Sequence, residues 1–388
     1  METIRLEIFD ETLRDGEQQV GIFFDRETKY TLADLIARTG VHHIALMPAV
    51  HYTEASLVKD LVADGLQQTL TASTMMGRQH VDRSIECGVQ KIILFNAVSD
   101  RLLYLRNPEF RDCILTDNIA PDIINRIRQQ ALDRIVENLK YARSRGLEIS
   151  FAAEDASRAD FDFLVECVIK FQPYINSFIL CDTVGVLNPE DTKIWLRNLI
   201  DFTGNRTPFT VHFHNDRGLA LENTIQAVMA GATGISGTFG GIGERAGNVA
   251  IERVLNGLRL RCGWEIAGID YGALSAVTEY LHHHKFYANF PYSPESLRYE
   301  TGIHVESLLR DRQSYHLFDR HQPEIWFGKF SGSSNFKYLF EQILKQPQSL
   351  ETYQKLRQEI KQRSIQEKRS FSCAEIISLL EQWAVVNA

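Results

Sequence analysis

Eight short apolar, β-prone runs recur along the first 240 residues, each followed by a stretch with helical periodicity. They fall at 6–13, 42–48, 69–76, 91–98, 147–155, 177–184, 209–215 and 235–240. The spacer 160–171 is an example of the helical kind, with Phe161, Leu164, Val165, Val168 and Ile169 on one stripe. Strands that alternate with helices pair in parallel through right-handed crossovers, because the helix must return over the sheet. Eight such units predict a (β/α)8 barrel, with an open doubly wound sheet as the alternative. The barrel is expected over 1–265, a linker subdomain over 266–325 and a small helical subdomain over 326–388. Within the linker, 270–288 reads as a helix, whereas 301–335, with Gly302, Gly328 and Gly332, reads as irregular.

Composition narrows the function classes. A net charge of −8 argues against broad nucleic-acid binding or an anionic membrane surface. The six cysteines, at 87, 113, 167, 181, 262 and 373, form no CxxC pair, so neither a zinc knuckle nor a disulfide framework is suggested. No charged-then-apolar leader opens the chain and no apolar run is long enough to span a bilayer, so a reduced cytoplasmic protein is expected.

Barrel chemistry sits at the C-terminal ends of the strands. Polar clusters fall there five times. The first run ends in Thr12-Leu13-Arg14-Asp15-Gly16-Glu17-Gln18, the fifth in Glu154-Asp155, and the sixth in Cys181-Asp182-Thr183. The seventh carries His212-Phe213-His214-Asn215-Asp216, and the eighth leads into Gly240-Gly241-Ile242-Gly243-Glu244-Arg245-Ala246-Gly247-Asn248. Strand side chains alternate, so His212 and His214 face one way, about 7 Å apart along the strand. With Asp15 they form a two-histidine, one-carboxylate set with open positions, which suits a catalytic divalent ion that polarises a carbonyl. Arg14 beside it either offsets charge on a bound anion or makes a surface salt bridge. The glycines of 240–247 either cradle a phosphate or form a tight loop that brings Asn248 toward the ion. His282, His283 and His284 splay around a helix and read as a solvated face.

These motifs carry a resemblance. LRDGEQ, CDTVG, HxHND, GIGERAGN and the later Glu300-Thr301-Gly302-Ile303-His304 resemble the acetyl-CoA-dependent 2-oxo-acid condensing enzymes: isopropylmalate, citramalate and homocitrate synthases. With Leu308-Leu309-Arg310-Asp311-Arg312 and Gly328-Lys329-Phe330-Ser331-Gly332, the pattern is most similar to short homocitrate synthases of nitrogen-fixation type. The resemblance implies a Claisen condensation of acetyl-CoA with a 2-oxo acid, 2-oxoglutarate first among the candidates, followed by thioester hydrolysis. It implies Asp15, His212 and His214 as ligands of zinc, manganese or magnesium, with Asn248 as a nearby or weaker ligand. It implies Arg14, Gln18 and Thr183 at the oxo acid, Glu154 in the substrate or acid–base network, and His304 in proton transfer with Tyr315 as its helper. It also implies a homodimer in which the His304 segment reaches the partner's barrel. Two departures stand out. The family's strand-two Glu is missing from Ile44-Ala45-Leu46-Met47-Pro48, and Ile149-Ser150-Phe151-Ala152-Ala153-Glu154 lacks the Arg that lysine-pathway homocitrate synthases place before the Glu. Another 2-oxo acid, a lyase or aldolase on the same barrel, and a non-catalytic binding homologue remain as alternatives.

Overall fold

A computed structural model describes residues 1–110, 119–317 and 321–386; Cys113 lies outside them. Eight parallel strands close into a barrel in chain order. They are β1 (Glu7–Asp10), β2 (His43–Leu46), β3 (Leu70–Met75), β4 (Lys91–Ala97), β5 (Glu148–Glu154), β6 (Ser177–Asp182), β7 (Phe209–Phe213) and β8 (Gly234–Gly237). The ring closes where Glu7–Asp10 pairs in register with Gly234–Gly237. All eight expected strands are present, and the open sheet is excluded. Several strands are shorter than their apolar runs. β1 stops at Asp10 because the Glu11 carbonyl accepts from the backbone N–H groups of Arg14 and Gly16, both at 3.0 Å, and turns the chain.

The surrounding helices are amphipathic. The one at Phe161–Phe171 buries Phe163, Leu164, Cys167, Val168 and Phe171. The stripe is thus rotated from the expected one, and Ile169 is 46% exposed. Each side chain buried this way contributes roughly 1.5–3 kcal/mol. A short ribbon that pairs Glu2–Ile4 with Trp264–Ile266 in parallel lies outside the barrel. Among the described residues no helix is long and apolar enough to cross a membrane.

Beyond the barrel, the helix expected over 270–288 spans Leu274–His283, and its three histidines are exposed. The stretch expected to be irregular instead contains the helix Gly302–Arg310, whose Val305 and Leu308 are buried. Two of the three glycines that suggested irregularity serve a close packing instead. Gly302 and Gly332 meet backbone to backbone, and a Cβ on Gly302 would lie 2.4 Å from the Gly332 Cα. The helices Ser333–Lys337, Leu350–Glu367 and Cys373–Val386 follow. This region is tied to the barrel side by a buried ion-pair cluster. Lys29 lies 2.7 Å from both Glu17 and Glu54, and Lys329 lies 3.0 Å from Glu17 and 2.5 Å from Glu54. Glu17 of the LRDGEQ motif therefore serves this cluster.

Candidate active site

The C-terminal rim of the barrel opens into a cavity of about 950 Å3, with the Gly302–Arg310, Ser333–Lys337 and Leu350–Glu367 helices also contributing to its lining. On one side stand Asp15, His212 and His214, all buried. His212 lies in β7; His214 lies one residue beyond its end, held by an antiparallel bridge to Asn248. The two Nε2 atoms are 3.3 Å apart, and Asp15 Oδ2 lies 3.8 Å from His212 Nε2 and 3.9 Å from His214 Nε2. A point equidistant from these atoms is about 2.1 Å from each, within the usual range of zinc–nitrogen and zinc–oxygen bonds. His212 Nδ1 is 3.0 Å from the Ser236 hydroxyl, so donation there leaves the Nε2 lone pair for an ion. Burial, above all, holds both imidazoles below their ordinary pKa and hence neutral. Burial alone would raise the Asp15 carboxyl, but the Arg14 guanidinium beside it, helped by the Asn248 hydrogen bond, outweighs burial and keeps the carboxyl ionised. The donor set fits a divalent cation.

The loop after β8 supports this set. Asn248 donates from Nδ2 to Asp15 Oδ1 at 2.8 Å, while its own Oδ1 is buried without a partner among the described residues. Gly243, at φ +150°, leaves no room for a side chain: a Cβ would sit 2.1 Å from Asn248 Nδ2 and 2.8 Å from Asp15 Oδ1. Of the two readings of this loop, the tight turn is the one observed. Arg245 locks it to β7 by donating to both oxygens of Asp216 at 2.7 and 3.0 Å.

Arg14 uses Nε on Glu11 at 2.7 Å and Nη1 on Asp15 at 3.0 Å and Gln18 at 3.2 Å. Gln18 donates to Thr301 Oγ1 at 3.0 Å, and Thr301 donates to Glu244 Oε1 at 2.6 Å. Glu244 in turn holds His304 Nδ1 at 2.8 Å. The His304 ring stacks on Tyr315 at 4.1 Å between centroids, and its Nε2 lies 3.9 Å from Glu154 Oε1. Glu154 is gripped by both Nη atoms of Arg106 and accepts the Tyr315 hydroxyl. Burial would raise its pKa, but Arg106 pulls it down to about 2. Thr183, also on the cavity, accepts the Asp155 N–H on Oγ1 at 2.8 Å.

Each residue singled out in the sequence therefore touches this cavity or supports a residue that does. The reading missed Glu11, Arg106, Glu244, Arg245 and Thr301 as site residues. Glu244, Arg245 and Thr301 lay within quoted motifs, so a signal existed. Arg106 ends the helix Asp100–Arg106 and carries no local mark. His304, which the resemblance directs to a partner's barrel, meets Glu244 within this chain. Here the connector runs along its own barrel, with Gln19 Nε2 donating to the Tyr287 carbonyl at 2.7 Å and Asn289 to that of Arg245 at 2.8 Å. It delivers His304 to Glu244 of the same chain.

Comparison with known proteins agrees with this architecture. The HMGL-like family model matches residues 5–280. Homocitrate synthase AksA of Methanothermobacter thermautotrophicus is 32% identical over 348 residues, covering 87% of this chain and 84% of that protein. The 2-isopropylmalate synthase of Sulfolobus acidocaldarius is 31% identical over 350 residues, covering 87% and 86%. Among solved structures, the HMG-CoA lyase of Bacillus subtilis superposes with a TM-score of 0.58 at 18% identity, covering 76% of this chain and 98% of that one, a likeness of fold. On these matches, the chain belongs to the HMGL-like family.

Proposed function

We propose that this enzyme is a metal-dependent acyltransferase that joins the methyl carbon of acetyl-CoA to the ketone carbon of a 2-oxo acid and then hydrolyses the thioester. One observation carries the reading. The buried Asp15–His212–His214 set and the Glu244–His304 pair both line the same cavity. The names of the synthases that match over most of the chain support the same reaction.

The chemistry assigns roles to the residues. A divalent ion held by Asp15, His212 and His214, with Asn248 at its edge, would supply Lewis acidity toward the carboxylate and ketone oxygens of the oxo acid. Arg14 lines the cavity and, among the described residues, has no hydrogen bond on Nη2, so its charge is available to the substrate carboxylate and the developing alkoxide. Gln18 and Thr183 bound the same space. The methyl group of acetyl-CoA is a weak acid, so a positioned base must take its proton as the carbon–carbon bond forms. With Nδ1–H donated to Glu244, His304 Nε2 is the basic atom, and the Glu244 carboxylate stabilises the imidazolium that results. Tyr315 holds the ring by stacking, and Arg106 holds Glu154 beside it. Water then attacks the thioester carbonyl; the carbon–sulfur bond breaks, and the thiol leaves with a proton. Also lining the cavity, Lys337 and Arg357 have no carboxylate partner among the described residues, and Lys361 donates to the Val50 carbonyl at 3.1 Å. Three cations there suit the phosphates of a CoA thioester.

The test is release of free CoA thiol from acetyl-CoA across a panel of 2-oxo acids, each with zinc, manganese and magnesium. Release that requires both an oxo acid and an ion is expected. No release above the acetyl-CoA hydrolysis background with any combination would refute the reading. The sequence resemblance favours 2-oxoglutarate, whereas relatives named for two different products match about equally well. The choice of oxo acid therefore rests on the remaining wall of the cavity.

A further inference from the structure

β3 and β4 lie across the closed barrel from β7 and β8, which carry the histidines and Ser236. Their inward positions, continued by β5 and β6, line the cavity with Met75, Ile93, Phe95, Ala152, Ile179 and Cys181. Alternation puts Ile93 and Phe95 together on the inward face of β4, and Ile179 and Cys181 together on the inward face of β6. Register places Phe95 directly between Met75 and Ala152. This is a continuous apolar surface. Cys181 belongs to it as a buried side chain next to Ile179 on the same strand. Beside it stands Ser73, whose buried hydroxyl has no partner among the described residues. A hydroxyl can meet one neutral polar atom but cannot neutralise a carboxylate.

Charge around the cavity floor sharpens the point. Glu11, Asp15, Glu154 and Glu244 are acidic, Arg14 is assigned to the first carboxylate of the oxo acid, and Arg310 donates from both Nη atoms to the Leu105 and Phe110 carbonyls. Glu154 stands two residues beyond Ala152 on the same face of β5, and its cation, Arg106, is taken up by its two oxygens and Tyr315. A second substrate carboxylate aimed at this wall would be buried among apolar atoms, unpaired, with Glu154 nearby.

We infer that the 2-oxo acid used by this site carries an uncharged apolar side chain, seated on Met75, Ile93, Phe95, Ala152, Ile179 and Cys181, and that a 2-oxo dicarboxylate such as 2-oxoglutarate is rejected. The inference rests on the proposed condensing function and departs from the substrate that the sequence resemblance favours.

Binding and turnover are measured separately, on the metal-loaded full chain. Calorimetric titration without acetyl-CoA compares 3-methyl-2-oxobutanoate and 4-methyl-2-oxopentanoate with 2-oxoglutarate. The dicarboxylate is expected to bind roughly 100-fold more weakly or worse, the usual consequence of an unpaired buried charge. Equal or tighter binding of 2-oxoglutarate overturns the inference. Thiol release then gives the ratio of kcat/KM for the same acids, with the same preference expected. Selective binding of the branched acids without any thiol release would uphold the selectivity and refute the condensing reaction, so the two failures are distinguishable. Ala152→Arg supplies a cation to the wall and should move the preference toward 2-oxoglutarate by roughly 100-fold. Circular dichroism and a melting curve verify its fold. A folded Ala152→Arg with the wild-type preference would show that the side chain lies elsewhere; if the variant does not fold, the wild-type titration still decides.

Discussion

Two arcs of the same barrel mouth are built on different terms. The polar arc of β7, β8 and the turn after β1 holds His212, His214, Ser236 and Asp15, and contacts distant in sequence fix its polar atoms. Asn248 reaches back 233 residues to Asp15, and Arg245 ties the supporting loop to Asp216. The apolar arc of β3 and β4 offers Met75, Ile93 and Phe95, for which strand alternation and van der Waals contact suffice. The first arrangement can hold reacting atoms to fractions of an ångström. The second can only choose among side chains by size and charge. Substitutions in the polar arc should therefore act on all substrates alike, and substitutions in the apolar arc on the choice between them.

The most severe test is at the ligands. His212→Ala or His214→Ala should abolish turnover with every oxo acid and release the metal, leaving the fold intact. Elemental analysis checks this, and full metal occupancy in both variants would remove the ligand assignment.

His304→Ala should lower kcat by roughly 10²–10⁴-fold, the usual contribution of a placed acid or base, with metal content unchanged. The cis arrangement gives a second readout. Mixing His304→Ala with Asp15→Ala subunits should recover no activity, because His304 meets Glu244 of its own chain. Recovery in a mixture shown to contain heterodimers would place His304 over the partner's barrel instead.

In the apolar arc, Phe95→Ala should admit bulkier oxo acids. The kcat/KM ratio of phenylpyruvate to 3-methyl-2-oxobutanoate is expected to rise by roughly 10–200-fold, as for pocket changes of a few carbons. An equal loss on both substrates would mean that Phe95 belongs functionally with the polar arc.

The smallest effect on the reaction is expected behind both arcs, at the Glu17–Lys29–Glu54–Lys329 cluster. Lys329→Met leaves two buried carboxylates facing one ammonium and should cost about 3–5 kcal/mol in urea unfolding. Burial would raise the Glu54 carboxyl, but Lys29 and Lys329 outweigh it and bring it from 4.5 to about 2. The folded state thus binds fewer protons there than the unfolded chain. Its stabilisation is complete above pH 4.5 and is lost as pH falls through about 2. Lys329→Met should flatten that acid limb of the stability curve; an unchanged limb would assign it to other carboxylates.

The polar arc was the legible one. A bare HxH is usually a pair of polar strand residues; Asp15, His212 and His214 stand out because polar clusters fall at five strand ends of one barrel. Their supports were partly hidden. Glu244 and Thr301 stood inside recognisable motifs, but nothing local says that one carboxylate serves both Thr301 and His304. Arg106 meets Glu154 across 48 residues and resembles any arginine at a helix end. The apolar wall was nearly silent. Strands of a parallel barrel are buried on both faces, so Ile92 and Leu94 look no different from Ile93 and Phe95, and alternation alone does not say which pair faces in.

The sequence by itself determined the eight-strand barrel and the candidate metal ligands Asp15, His212 and His214, because both follow from local periodicity and residue chemistry. Only the tertiary structure decided which face of each strand looks into the cavity, that His304 meets Glu244 of its own chain, and that Met75, Ile93 and Phe95 line the wall opposite the histidines. Those properties arise from barrel closure and from contacts between residues 48 to more than 200 positions apart, such as Arg106 with Glu154 and Gln18 with Thr301. The pattern along a strand does not encode its partners around a ring.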